Sequence, residues 1–123
     1  MKKQKFKLES SMKSFRYAVN GFVIALKGEF NLRIHAVATL FVLTAGIYFD
    51  LPLVEWILLC LAIALVIISE LVNTAIEYLC DVVSPQKNPQ IGKVKDVAAA
   101  AVLFASLIAL TVGLLVFLPK ISS

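Results

Sequence analysis

Between Val97 and Leu118 the chain runs for twenty-two residues without a charge. At ~1.5 Å per residue a helix of that length reaches about 33 Å, enough to cross the ~30 Å hydrocarbon core of a bilayer. Backbone groups in hydrocarbon have no water to bond, so the segment must be a helix that satisfies them internally. The rest of the chain agrees, since 60% of its 123 residues are apolar, too many for a soluble domain of that size. These features predict a single all-α integral membrane domain.

Two further apolar segments accompany this span. From Ile34 to Phe49 the polar groups are His35, Thr39, Thr44 and the Tyr48 hydroxyl, which predicts a short span over about 34–49. Asp50, Leu51 and Pro52 end it, because proline lacks a helical donor and disfavours helix in the residue before it. A second span is expected from Leu53 to Val83, and at ~1.5 Å per residue it outreaches the hydrocarbon layer, so one end must enter water. Ser84 to Gly92 reads as a polar loop rich in helix breakers, and the third span, about 95–118, belongs to a helix starting near Lys93.

Ahead of the spans lies a segment of different character. Phe15, Ala18, Val19, Phe22, Val23 and Leu26 recur at helical spacing, with Lys13, Arg16, Asn20 and Lys27 elsewhere. That pattern predicts an amphipathic surface helix over about 10–31, capped by Ser10 or Ser11 and lying in the membrane interface. Met1 to Lys7 is expected to fray. No short apolar core and small-residue cleavage site follow the N-terminal lysines, so the spans are expected to be retained.

Charge placement orients the molecule. Eight of the twelve basic residues fall between Lys2 and Arg33, Lys87, Lys93 and Lys95 lie in or beside the long loop, and none lies between Asp50 and Glu55. The positive-inside rule then places the N-terminus and the long loop in the cytoplasm. Next to membrane spans such a basic cluster faces anionic headgroups, and no nucleic-acid partner is expected. Cys60 and Cys80 sit in apolar stretches, where thiols behave as small hydrophobes.

The second span carries what a lipid-facing helix should lack. Glu70, Asn73, Thr74, Glu77 and Asp81 fall within an arc of about 100° at ~100° per residue. Each acid near a bilayer centre costs on the order of 2.5–3.5 kcal/mol on insertion scales, so something must offset that cost, and the functional reading is a metal, substrate or proton site between helices. A solvated helix end would account for Asp81, less well for Glu70 directly after the run Leu61 to Ser69. Glu70 and Glu77 are two turns apart, roughly 10 Å, and should differ in role. Glu77 with Glu29, at compatible depth, would suit magnesium, a hard ion that keeps several waters. Glu70, deeper, is placed for general-base work.

Lys95, followed by Asp96 at the cytoplasmic start of the last span, can neutralise phosphate charge or simply anchor the helix at the interface. Together with the acidic stripe it reads as phosphoryl transfer. Glycines at 21, 28, 46, 92 and 113 form neither a P-loop nor a GxGxxG turn, so any ATP site is of another kind. His35, beside Arg33 at the head of a span, reads as a polar interface residue outside the chemistry.

The segment Glu70-Leu71-Val72-Asn73-Thr74-Ala75-Ile76-Glu77, followed by Asp81, resembles the signature of the prokaryotic diacylglycerol kinase family, which also includes undecaprenol kinases. Lys95-Asp96 and the run Val97 to Leu103 fall at the family's spacing from it. Tyr17, Gly21, Glu29 and Arg33 match the surface helix and the first span, so the resemblance covers roughly residues 13 to 118. It implies a surface helix plus three transmembrane helices in a bacterial inner membrane, assembled as a homotrimer with active sites shared between subunits. By resemblance Glu70 accepts the proton of a lipid alcohol, Glu29 and Glu77 hold Mg2+, and Asn73, Lys95 and Asp96 face the phosphates of ATP. Tyr17 is a further nucleotide candidate, and Asp81 and Arg33 are supporting polar residues. Many members carry an aromatic residue and a histidine where this chain has Lys87 and Asn88, so the resemblance assigns no adenine contact there. The pattern Glu29, Asn31, Arg33, Ile34, His35 resembles the undecaprenol kinases more than the diacylglycerol branch.

Two other classes compete on the residues alone. A small oligomeric proton-coupled transporter would explain Glu70 but not Lys95-Asp96. A structural membrane subunit would use the polar face only for packing.

Overall fold

The computed structural model describes residues 1–123 and is helical throughout: α1 Lys2–Gly28, α2 Phe30–Tyr48, α3 Leu53–Val83 and α4 Pro89–Ile121. The last three are each long and apolar enough to cross a membrane. α3 and α4 lie against each other over the most extensive interface, α2 packs on α3, and α1 makes smaller contacts with α2 and α3. α1 is exposed through Ile24, and Ala25 is its buried residue.

α3 has the ends expected from Pro52 and the Ser84-Pro85 pair. The other three helices begin earlier than expected. α4 starts at Pro89 rather than near Lys93, because Asn88 accepts a hydrogen bond from the Gln90 N–H at 2.9 Å and proline fills the first turn. A proline there loses only a donor that would have been unpaired, so a residue read as a breaker is a helix start. α1 begins at Lys2 rather than at Ser10 or Ser11, with no side-chain cap. Lys, Gln, Glu and Leu are good helix formers and the segment continues the helix behind it. Ser14 Oγ donates to the Ser10 carbonyl within this helix.

The α1–α2 corner lies at Glu29, in extended conformation between the two helices. α1 therefore ends before the expected Asn31, and α2 starts before the expected Ile34. Two features hold the corner. Arg33 donates to the carbonyls of Leu26 and Lys27, at 3.2 and 2.9 Å, satisfying groups that a helix end leaves unpaired. A Cβ at Gly28 would stand 2.5 Å from the Tyr78 hydroxyl, so glycine permits α3 to approach closely.

At the opposite end, α2 closes on Asp50, whose φ is 52°. The Leu51 N–H bonds the Gly46 carbonyl and the Asp50 N–H that of Ile47, each at 3.2 Å, the pairing of a Schellman motif with aspartate at the left-handed position. Leu51 thereby turns inward and packs with Leu59 and Val116, flanked by Phe49, Trp56 and Phe117. Lys120 closes this end, with Nζ 2.8 Å from Glu55 Oε2.

Inside the helices, hydroxyls turn back on their own backbone: Thr39 donates to His35, Thr74 to Glu70 and Thr111 to Leu107. Such bonds satisfy polar groups where lipid offers none. Only 14 of 123 residues are buried within the chain, so most of the apolar surface must be covered by lipid or by other subunits. Cys80 is buried as expected of an apolar thiol, whereas Cys60 is exposed on the outside of α3.

Candidate active site

α3 turns its polar stripe inward at one level. Glu70 is 2% exposed, Thr74 3% and Asn73 9%. Asn73 Nδ2 donates to Glu77 Oε1 at 3.3 Å, one turn further on, which orients the Glu77 carboxylate. Asn73 Oδ1 and Glu70 Oε1 are buried without a hydrogen-bond partner. Burying polar atoms unpaired is expensive unless a ligand completes them, so these are the atoms to watch.

The corner brings the second component. Glu29, held between α1 and α2, presents its carboxylate to that of Glu77, and Glu70 lies within electrostatic range. Burial is the main reason why the Glu29 carboxyl is raised above the usual glutamate range, and the charge and contact of Glu77, then the charge of Glu70, push it the same way. Converging carboxylates of this kind favour a bound cation or proton.

α2 and α3 then form a ladder. Glu29 to His35 is six residues along the chain leading into α2, and Glu70 to Glu77 is seven along α3, about 9 and 10 Å at the helical rise. With the helices antiparallel, Glu29 opposite Glu77 is one rung and His35 opposite Glu70 is the other. His35 Nε2 stands 3.3 Å from Glu70 Oε1, in ion-pair range but without the alignment of a hydrogen bond. His35, set outside the chemistry on the sequence, is therefore the neighbour of the most buried carboxylate. Its own helix face gave no sign of this. The available signal was its spacing from Glu29, which matches that of Glu70 from Glu77.

The basic component sits nearer the loop. Lys95 Nζ donates to Asp81 Oδ1 at 2.8 Å, and both line an open polar cleft of about 570 Å³ with Ser84 to Pro89, Ile91 and Gly92. Arg33 is engaged by the α1 carbonyls of Leu26 and Lys27. Tyr17 and Asp96 are exposed and are not joined to the carboxylates within one chain.

Comparison with known proteins supplies the context for this geometry. Residues 16–117 match the family described as prokaryotic diacylglycerol kinase. The chain is 37% identical over 114 residues to an undecaprenol kinase of Bacillus subtilis, covering 93% of each chain. It is 39% identical over 111 residues to a diacylglycerol kinase of Synechocystis, covering 89% of this chain and 63% of that one. To a diacylglycerol kinase of Escherichia coli it is 31% identical over 98 residues, 80% of each. The family match takes in Glu29, His35, the whole polar stripe and Lys95, and the chain belongs to the prokaryotic diacylglycerol kinase family.

Proposed function

We propose that the protein is a lipid kinase that transfers the γ-phosphoryl group of ATP to the hydroxyl of a membrane lipid alcohol, undecaprenol or diacylglycerol, at the cytoplasmic face of a bacterial plasma membrane. The observation that carries this reading is a buried carboxylate, Glu70, one rung from the Glu29–Glu77 pair. Glu70 takes the proton as the lipid oxygen bonds to the γ-phosphorus and the bond to the β,γ-bridging oxygen breaks, releasing ADP.

Glu29 and Glu77 would hold Mg2+. Nowhere in the chain do three His, Cys, Asp or Glu side chains converge as metal ligands, and a two-carboxylate set suits an ion that takes its remaining ligands from water and substrate phosphates. The buried, unpaired Asn73 Oδ1 beside Glu77 can accept from a bound water. When present, the ion would neutralise charge on the phosphates. Lys95 exchanges Asp81 for phosphate, and Asp96 and Tyr17 complete the nucleotide side. α1 lies in the cytoplasmic interface with the N-terminus inside, as the basic residues dictate. The assembly is a homotrimer, in which neighbours cover the exposed apolar faces and bring Tyr17 and Asp96 to a shared site.

The test is transfer of labelled γ-phosphate from magnesium ATP to undecaprenol and to diacylglycerol, presented separately in mixed micelles. Product from either establishes the kinase, and the resemblance around Glu29 to His35 favours undecaprenol. Glu70→Gln is expected to lower kcat by about 10²–10⁴-fold with assembly intact. Absence of product from both lipids by a folded oligomer, together with nucleotide-independent proton-driven uptake into vesicles, would replace this reading with a transporter built on Glu70.

A further inference from the structure

Glu70 enters the site with an unresolved electrostatic problem. Its Oε1 is buried and accepts no hydrogen bond, although a charged carboxylate in an apolar layer needs donors to stay in one orientation. The nearby Thr74 hydroxyl does not help, because it already donates to the Glu70 backbone carbonyl at 2.9 Å. One turn along α3 from Glu70, on the side away from Glu77, begins an apolar cleft of about 110 Å³ between α2, α3 and α4, running along Val66, Ala62 and Leu59. Of its lining residues only His35 and Thr39 carry polar side chains. Thr39 Oγ1 is committed to the His35 carbonyl at 2.7 Å. That leaves one donor on this side, the His35 imidazole, whose Nε2 is 3.3 Å from Glu70 Oε1.

We infer that His35 is a positioning residue for the proposed kinase reaction: its Nε2–H donates to Glu70 Oε1 once the site closes on substrate, fixing the carboxylate so that its other oxygen faces the lipid hydroxyl. The inference rests on Glu70 being the base. Side-chain geometry supports the assignment from both partners. His35 is partly exposed, with 27% of its side chain accessible against 3% for Glu70, so the imidazole has room to rotate into alignment while the carboxylate does not. The Thr39 bond is to the His35 backbone and leaves the ring free.

The experiment compares three variants of the full-length protein in mixed micelles, reading kcat, the KM values for ATP and lipid, and thermal unfolding. His35→Gln places an amide N–H near the position of Nε2 and is expected to keep kcat within about 5-fold of the parent. His35→Asn is polar but too short to reach, and His35→Leu has no donor. Both are expected to lose about 10-fold or more in kcat, with KM for ATP changed by less than about 3-fold, as for loss of a charge-assisted hydrogen bond made in the reacting complex. The Gln–Asn comparison decides the matter even where the Leu variant does not fold. Equal kcat for all folded variants overturns the inference, as does equal loss in Gln and Asn. A raised KM for lipid at constant kcat overturns it too, by making His35 a binding residue. These outcomes leave the kinase reading standing when the parent is active and Glu70→Gln is not, whereas an inactive parent removes both.

Discussion

Burial, reinforced by the charges of Glu77 and Glu70, raises the Glu29 carboxyl, and its place in the α1–α2 corner exposes that shift to bulk pH. A carboxyl that holds its proton more tightly in the folded state favours folding below the ordinary glutamate range. That contribution is lost as pH rises through its raised value. The metal-free protein is therefore expected to lose thermal stability as pH rises through this window, and magnesium to restore it, because the ion proposed at Glu29 and Glu77 would take the place of the proton. Activity should show the same competition from the other side, with the apparent affinity for magnesium weakening on acidification. Glu29→Gln is expected to remove the pH dependence of unfolding and to weaken magnesium activation together. Magnesium titrations and melting curves across the acidic range measure both.

At the scale of elements, the chain is organised by how its helices end and where they touch. An ideal Cβ at Gly46 would stand 2.6 Å from the Trp56 ring, inside any tolerable contact, at the level where Leu51, Leu59 and Val116 pack. Gly46→Ala is expected to destabilise the protein by about 1–3 kcal/mol, the usual range for an overpacked contact, read from unfolding in mixed micelles. Asp50 presents the opposite case. Its φ of 52° is one that glycine adopts without strain, so Asp50→Gly should raise stability by up to about 1 kcal/mol and leave kinase activity unchanged. The Asp50 turn lies at the far end of α3 from Glu70 and Glu77, which makes these two substitutions a clean separation of folding from chemistry.

For the molecule as a whole, the chain is incomplete by itself in two respects. Most of its apolar surface is uncovered, and the side chain of Asp96, exposed on α4, makes no hydrogen bond or ion pair within its own chain. The proposed site shared between subunits would account for both. Co-assembled Glu70→Gln and Asp96→Asn subunits are expected to regain activity that neither variant shows alone, since a mixed oligomer contains sites with an intact residue from each partner. Activity of the mixture equal to that of the separate variants would place the whole site within one chain.

Much of this architecture is legible along the chain. The three apolar helices follow from their apolar runs, most plainly the twenty-two charge-free residues from Val97 to Leu118, and the ends of α3 follow from Pro52 and Ser84-Pro85. The polar stripe follows from the ~100° advance per residue that puts Glu70, Asn73, Glu77 and Asp81 on one face. Helix starts were less legible, since Asn88-Pro89 carries the same residues as a turn and differs only in which donors need partners. What the residues could not determine alone was the meeting of α2 with α3. Composition and periodicity belong to single segments and specify a face, whereas the contact of His35 with Glu70 depends on the relative depth and rotation of two helices. Those are set by distant packing: Gly28 against Tyr78 at one end of α2 and Gly46 against Trp56 at the other. Apolar runs and helical periodicity specify a membrane helix bundle with a buried acidic face, and packing between the helices selects which side chain stands opposite its deepest carboxylate.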